Sequence, residues 1–516
     1  MKKALLLFLL LTIPTIIIAQ TVTVKDAETQ SPLPMVTLHI PGGNIYATTN
    51  KNGKANISEF QGAESIELRL LGYETIIRSY SELEEASFEV FLRSISYSMD
   101  GMIVSATKWR QDPNNVPTKI STITPEMVEL QNPQTTADLL ALSGEVFIQK
   151  SQQGGGSPMI RGFATNRLLY TIDGVRMNTA IFRGGNIQNV ISLDPFTIQN
   201  SEVLFGPGSV IYGSDAIGGV MSFQTLDPEL SPGENLLIRG NANLRYSSAN
   251  NEQTGHFDLK VGGKKWGIVS SISSFDYGHL RQGSNGPKDY VKSYHVNPQL
   301  NNDEVVIQND PLLQIPTAYS QINAMQKIRY QPNNDLDFTY GIHYSETTPY
   351  GRYDRHNRMR NNLPRYAEWN YGPQIWMMNH LETEYVLNSG VFDNVNVSLA
   401  QQYFEESRIS RSLNSSNRER RIEKIDAYSI NVDFLKLIGE SSTLFYGIEY
   451  VGNKVNSIGK DEEVFTRNTS PGPSRYPQAT WRSMAAYVSN EFVISDKVTM
   501  QSGLRYNRVT IDADFD

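Results

Sequence analysis

The side chains able to do covalent chemistry are sparse and poorly grouped in this sequence. Cysteine is absent, which removes thiol nucleophiles, disulfides, iron–sulfur clusters and thiolate zinc sites together. The seven histidines, His39, His256, His279, His295, His343, His356 and His380, are scattered, and no two have close metal-ligand spacing. No H-E-x-x-H, G-x-S-x-G, G-x-x-x-x-G-K-[ST] or G-x-G-x-x-G pattern occurs. Gly206-Pro207-Gly208 is phosphate-loop-like but lacks the third glycine and the helix-forming sequence such a loop opens. An enzyme is therefore not expected, and neither a catalytic residue nor a resident metal or cofactor is assigned. With 46 Lys+Arg against 54 Asp+Glu the net charge is −8, so nothing global points to nucleic acid. Aromatic residues at 10%, led by 26 tyrosines, exclude a disordered chain.

The length of 516 residues predicts about three domains. Residues 1–19 have the plan of a secretory signal peptide: Lys2 and Lys3, an apolar run from Ala4 to Ile18, and Ala19 as cleavage residue. The run is short of the roughly 20 apolar residues of a spanning helix and contains Pro14. No later stretch approaches one, so any membrane role must use strands. Over 20–95, short β-rich runs alternate with turns at Pro32 and Pro34, Pro41-Gly42-Gly43, Asn50 to Gly53 and Gly72-Tyr73, the spacing of a small β-sandwich. Residues 96–115 read as a linker, with Asp112-Pro113-Asn114-Asn115 as its turn signal. Within it, Met102-Ile103-Val104-Ser105-Ala106-Thr107 is β-prone. Such a segment beside a tether suits strand addition to a partner, and a last strand of the sandwich is the alternative. From 116 to 225 glycine is dense, 12 of the 66 residues from 154 to 219 against 38 of 516 overall, which disfavours long helices. Thr135 to Gly144 predicts a short helix with a Thr cap and a Gly stop. Leu168 to Ile172 followed by Asp173-Gly174 predicts a strand and tight turn.

Ser157 to Phe163 (SPMIRGF), Tyr170 to Asn178 (YTIDGVRMN), Glu202 to Gly213 (EVLFGPGSVIYG) and Gly218-Gly219-Val220 together resemble the plug domain of TonB-dependent outer-membrane receptors, in order and spacing over roughly 100 residues. The resemblance implies that Met102, Ile103, Val104, Ser105 and Ala106 are the TonB box, which this family carries just ahead of the plug. The turns at Thr49 to Gly53 and Gly72-Tyr73 resemble the carboxypeptidase-regulatory-like domain at the front of Bacteroidetes receptors, a module and not a peptidase. Any immunoglobulin-like sandwich shares that pattern.

The stretch 230–516 tests this independently. Leu336, Phe338, Tyr340, Ile342 and Tyr344 alternate with Asp337, Thr339, Gly341, His343 and Ser345, one face for lipid and one for a polar lumen. Phe257, Leu259 and Val261 alternate with His256, Asp258 and Lys260 in the same way, as do Tyr428, Ile430, Val432 and Phe434 with Ser429, Asn431 and Asp433. About eleven candidate strands lie between Leu236 and Ile511, with short and long connections alternating, as in an outer-membrane barrel. A soluble β-solenoid would need a constant repeat, and none is visible. The expected fold is mainly β: an N-terminal β-sandwich, an α/β plug and a transmembrane antiparallel β-barrel. Since the resemblance implies 22 strands, only about the first half of the barrel is expected here, in a truncated or partial chain.

The resemblance implies energised import across a Gram-negative outer membrane of the Bacteroidetes type. The partners would be TonB, with its inner-membrane energising complex, and an iron-containing ligand. Residues 176–190 look most like the haem and haemoglobin branch, which would want an aromatic contact, a His or Tyr ligand to iron and a cation for the propionates. Phe182, Arg183, Arg352, Tyr353 and His356 could supply these, although most charges of Gly351 to Arg358 could equally only solvate a loop. A ferric siderophore is the other iron ligand considered. Arg161, in the Ile-Arg-Gly-Phe segment, is a candidate for pairing with barrel carboxylates. A TonB-dependent glycan importer is one alternative, and a passive porin or surface adhesin is another.

Overall fold

The computed structural model describes residues 20–515 apart from 28–29, 42–44, 71–72, 74, 93–102, 110, 112–115, 151–152, 182–188, 234, 287, 301, 388, 440 and 496–497. The expected signal peptide, Met102, the turn expected at 112–115, Phe182 and Arg183 lie outside the described residues. The chain divides into two compact units, Met1–Gly101 and Met102–Asp516.

In the first unit two small sheets face each other. Thr21–Asp26 pairs antiparallel with Lys54–Asn56 and parallel with Glu89–Leu92, while Thr37–His39 and Ile66–Arg69 form the centre of an antiparallel sheet edged by Tyr46–Thr48 and Ile76–Arg78. Alternate residues Val22, Val24, Leu38, Ile66, Leu68, Val90 and Leu92 point inward and form one core with Ile57, Phe60 and Leu83. The expected turn is closed by Asn50, whose side-chain oxygen accepts from the N–H groups of Asn52 and Lys54. Gly53 follows at φ +70°, with Val24 O 2.4 Å from where a Cβ would sit. A helix that the strand pattern did not suggest, Tyr80–Glu85, starts from a Ser79/Glu82 capping box and buries Tyr80 and Leu83.

The second unit holds a five-stranded mixed sheet ordered Val175–Arg176, Leu168–Ile172, Gly219–Thr225, Ile198–Phe205, Lys119–Ile123. Only the pairing of Leu168–Ile172 with Gly219–Thr225 is parallel. The expected helix is Thr136–Ala141, with the Thr135 side chain accepting from Asp138 N–H and Gly144 at φ +70° beyond its end. A second helix, Pro125–Gln131, begins on a Thr124 cap with proline in its first turn. After Gly206-Pro207-Gly208 comes a single helical turn, Ser209–Tyr212.

Around this plug runs an antiparallel meander of eleven strands in chain order: Leu237–Ser247, Glu252–Gly262, Trp266–Tyr277, Tyr319–Asn333, Leu336–Thr347, Tyr366–Val386, Asn394–Ser412, Asn417–Ile438, Ser442–Glu463, Gln478–Ser495 and Val498–Asp514. Among the described residues the first and last of these strands do not pair with each other. The predicted alternation is realised: His343 and Ser345, or Ser429, Asn431 and Asp433, are buried toward the plug, while Tyr340, Ile342, Tyr428 and Ile430 are exposed outside. The two layers share one core, in which Ile172, Val175, Met221 and Phe223 of the plug meet Trp376, Met378, Phe404 and Ile425 of the wall. No helix of the described residues is long and apolar enough to cross a membrane.

Candidate functional site

Three clusters stand out, two joining the plug to the wall and one among the long connections of the wall. At the end where the wall turns are short, Ile103 and Gln111 exchange backbone hydrogen bonds of 2.8 Å, folding the segment between them into a tight loop. Lys108 reaches Asp433 at 3.1 Å, and the Gln111 amide donates to Glu491 at 3.1 Å. Both carboxylates lie near the short-turn ends of their strands, Asn417–Ile438 and Gln478–Ser495. The loop is closed from the plug side by Glu202. Its carboxylate accepts from Val104 N–H at 3.0 and 3.1 Å and from Ser105 N–H at 2.7 Å. Ile103, Ser105 and Glu202 are buried.

Midway, Asp173 in the turn after Leu168–Ile172 joins plug to wall. Thr225 donates to it through N–H at 2.9 Å and hydroxyl at 2.8 Å, while Lys327 lies 3.1 Å and His343 Nε2 3.3 Å away. Burial pushes the Asp173 carboxyl up, but the adjoining Lys327 and His343 outweigh it and hold it well below the usual carboxylate range. On the opposite flank, Glu449 of the wall lies 2.7 Å from Arg505 and 3.7 Å from Arg176, and Arg176 also bonds Asp215 at 2.7 Å.

At the end with long connections, Arg352, Tyr353 and His356 come together on one helical turn, Tyr353–His356, and its cap. Arg352 bonds Asp354 at 2.7 Å and the Tyr371 hydroxyl at 3.0 Å. The Tyr353 hydroxyl donates to Tyr290 O at 2.8 Å, and His356 Nε2 lies 3.1 Å from Trp369 O. Tyr353 and His356 are buried, at 2% and 4% exposure, so in this conformation they hold the loop together. Burial, helped by the charge of Lys292, lowers the His356 imidazole to about 4, and burial alone lowers Lys292 to about 8. The guanidinium groups of Arg352, Arg355 and Arg408 lie 5.4, 5.5 and 5.1 Å from the Trp369 ring. From Trp369 a chain of rings, Tyr371, Tyr350, Tyr319, Tyr277 and Phe275, runs down the wall at centroid spacings of 4.8–6.1 Å, ending at Phe196 of the plug.

Arg161 is exposed and lies over the Phe205 ring of its own domain at 5.7 Å, and no barrel carboxylate pairs with it among the described residues. Ion pairs to the wall are made instead by Lys108, Asp173 and Arg176, which sequence reasoning did not single out for this role. Asp173 had one signal, its place in a tight turn, but its wall partners, Lys327 and His343, are more than 150 residues away. Among the described residues no group of three histidines or carboxylates is placed to hold a metal.

Comparison with known proteins agrees with this architecture. Residues 112–220 match the TonB-dependent Receptor Plug Domain family, and residues 384–516 match the Outer membrane protein beta-barrel family. A hemin receptor of Yersinia pestis is 27% identical over 289 residues, 49% of this chain and 41% of that protein. The vitamin B12 transporter BtuB of Vibrio vulnificus strain CMCP6 is 36% identical over 138 residues, 26% of this chain and 22% of that one. Among solved structures, the copper transporter OprC superposes with a TM-score of 0.59 at 14% identity, covering 76% of this chain and 55% of its own. The pyoverdine receptor FpvA of Pseudomonas aeruginosa gives 0.58 at 12%, covering 82% and 61%. The matches thus span about half or less of the curated relatives. Fold and plug define a plug-in-barrel protein of the outer membrane. The chain carries the plug and barrel wall of a TonB-dependent receptor.

Proposed function

We propose that this protein imports an iron-containing ligand, haem or a ferric siderophore, across the outer membrane with energy delivered by TonB and its inner-membrane complex. The observation that carries the reading is the plug seated within the wall, with Ile103 to Ala106 docked at the short-turn end. In outer-membrane barrels that end faces the periplasm, where a partner strand could add to a released segment. A passive pore has no use for either feature. The hemin and pyoverdine receptors support an iron ligand, and the arginine and aromatic cluster at the opposite end suits an anionic, planar one. Phe182, Arg183, Arg352, Tyr353 and His356 are proposed to meet the ligand after the loop opens, and Arg161 is proposed to pair with carboxylates of a completed barrel. The N-terminal sandwich is proposed to be a carboxypeptidase-regulatory-like module of a Bacteroidetes-type receptor.

Binding and uptake separate the readings. A haem titration of the full-length receptor, followed in the Soret band, should give a saturable one-to-one shift weakened by Phe182→Ala or His356→Ala. Deleting Met102 to Ala106 should leave that shift intact and abolish cellular uptake. Uptake that survives the deletion would remove active transport, and a Soret band unmoved beyond detergent controls would remove haem in favour of a siderophore.

A further inference from the structure

Glu202 is a buried carboxylate, 1% exposed, with no cation bonded to it among the described residues. Every described hydrogen bond it makes is donated to it, by Val104 N–H, Ser105 N–H and the Asn200 side-chain amide at 3.3 Å, so the docked geometry is that of an anion. The charged and titratable groups around this face belong to its neighbours. Tyr212 of the short helix couples to Glu202, Asp433 and Glu449. Lys108 lies over Tyr212 at 5.8 Å but is bonded to Asp433, which also accepts from the Tyr487 hydroxyl at 2.7 Å, and Glu449 is bonded to Arg505. The flanking strands contribute only Thr122 and Ser222 opposite Glu202.

We propose that Glu202 is a proton-linked latch: as an anion it holds the Val104 and Ser105 amides inside the plug, and release of that segment is coupled to uptake of one proton from solvent by its carboxylate. This rests on reading Met102 to Ala106 as the TonB box and deepens it by naming how the box is held. If the segment departs while Glu202 stays ionised, a buried anion loses both main-chain donors, which is costly. Protonation removes that cost. Burial already pushes the Glu202 carboxyl up, and the Ser105 and Val104 amides pull it down. Without them the Asn200 amide is the one described donor left against the upward influence of burial, so the released state has the higher pKa. The sign follows: docking is fully favoured above the released-state pKa and is lost as pH falls through the docked one. Between the two, the release equilibrium rises up to about tenfold per pH unit.

The test is a nitroxide on Val104→Cys in the full-length receptor, followed by electron paramagnetic resonance from pH 8 to pH 5; these 516 residues contribute no other cysteine. With Glu202 present, the mobile fraction should grow on acidification, by up to about tenfold per unit. In Glu202→Gln it should be raised throughout and flat with pH, and in Glu202→Asp, which keeps the charge, the pH dependence should return. A pH-independent mobile fraction with Glu202 present, or an unchanged pH dependence in Glu202→Gln, would overturn the latch. The readout needs no partner protein. A flat profile with uptake still lost on deleting Met102 to Ala106 would sink the latch alone, and a sloping profile with uptake surviving would sink the coupling-segment reading alone.

Discussion

Asp173, with its side chain 10% exposed, and the buried Glu202 are two plug carboxylates with opposite surroundings, and the contrast gives them opposite duties. Asp173 has cationic partners on the wall and is held low; Glu202 has only main-chain and amide donors and is pushed up. Relative to an unfolded aspartate near 3.9, the Asp173 contribution is fully present above about pH 4. It is lost only as pH falls through the lower folded-state value. Acidification toward pH 5 should thus loosen the Glu202 contact while the Asp173 anchor holds. Asp173→Asn keeps the shape but leaves Lys327, 5% exposed in its side chain, with Asp227 at 3.5 Å as its one remaining ion-pair partner among the described residues, beside the Thr225 carbonyl at 3.4 Å. Removing one partner of a buried pair costs about 3–5 kcal/mol. Hydrogen exchange of the Leu168–Ile172 amides at pH 7 should show a loss of protection of that order, and unchanged protection would mean that Asp173 does not anchor the plug.

At the scale of elements, the plug also holds a small antiparallel sheet of Phe147–Gln149, Ser157–Ile160 and Phe163–Ala164, whose last strand meets the five-stranded sheet at a point with no room for a side chain. A Cβ on Gly218 would lie 2.4 Å from Phe163 Cβ and 2.8 Å from Arg167 O, and Gly218 N–H donates to that same carbonyl at 2.8 Å. Gly218→Ala must therefore push Phe163–Ala164 away from Gly219–Thr225, an overpacking worth about 1–3 kcal/mol. Limited proteolysis should then cut the plug while the wall resists, and an uncut plug would show that the seam can give. Elements of this kind were unevenly legible in the sequence. The wall strands announce themselves through period-two alternation, because each residue faces either the plug or the outside; Tyr428 and Ile430 against Ser429 and Asn431 are examples. The capped helix at Thr136–Ala141 was equally open to reading. Pro125–Gln131 was not, since it fully buries no residue and only Met127 and Val128 pack partly against the core. The site was less legible still: Glu202 meets Val104 and Asp173 meets Lys327 across separations that local patterning does not encode. His356 could be flagged by type, but its burial depends on Trp369 and Lys292.

For the whole second unit, the decisive feature is the eleven-strand meander, whose outer strands, Leu237–Ser247 and Val498–Asp514, each have one neighbour among the described residues. The wall already has the one-sided chemistry of a membrane strand set, apolar outside and bonded to the plug inside. Hydrocarbon offers no partner for the free N–H and C=O groups of such edges, and each unpaired group there costs several kcal/mol. Along Val498–Asp514 nearly every residue is exposed; Arg505 is tied to the plug and to Glu449, but the inward-facing Val509 and Ile511, in register with Ser483 and Trp481, are left uncovered. We therefore expect further strands to pair with both edges and to enclose the uncovered side of the plug, which agrees with the fraction of each relative that the chain spans. Residues 20–516 expressed alone into outer membrane should fail to give the heat-modifiable, protease-resistant band of a closed barrel. A chain carrying the additional strands should give it. A resistant band from residues 20–516 alone would mean that the two edges find each other, and that eleven strands enclose the plug without help.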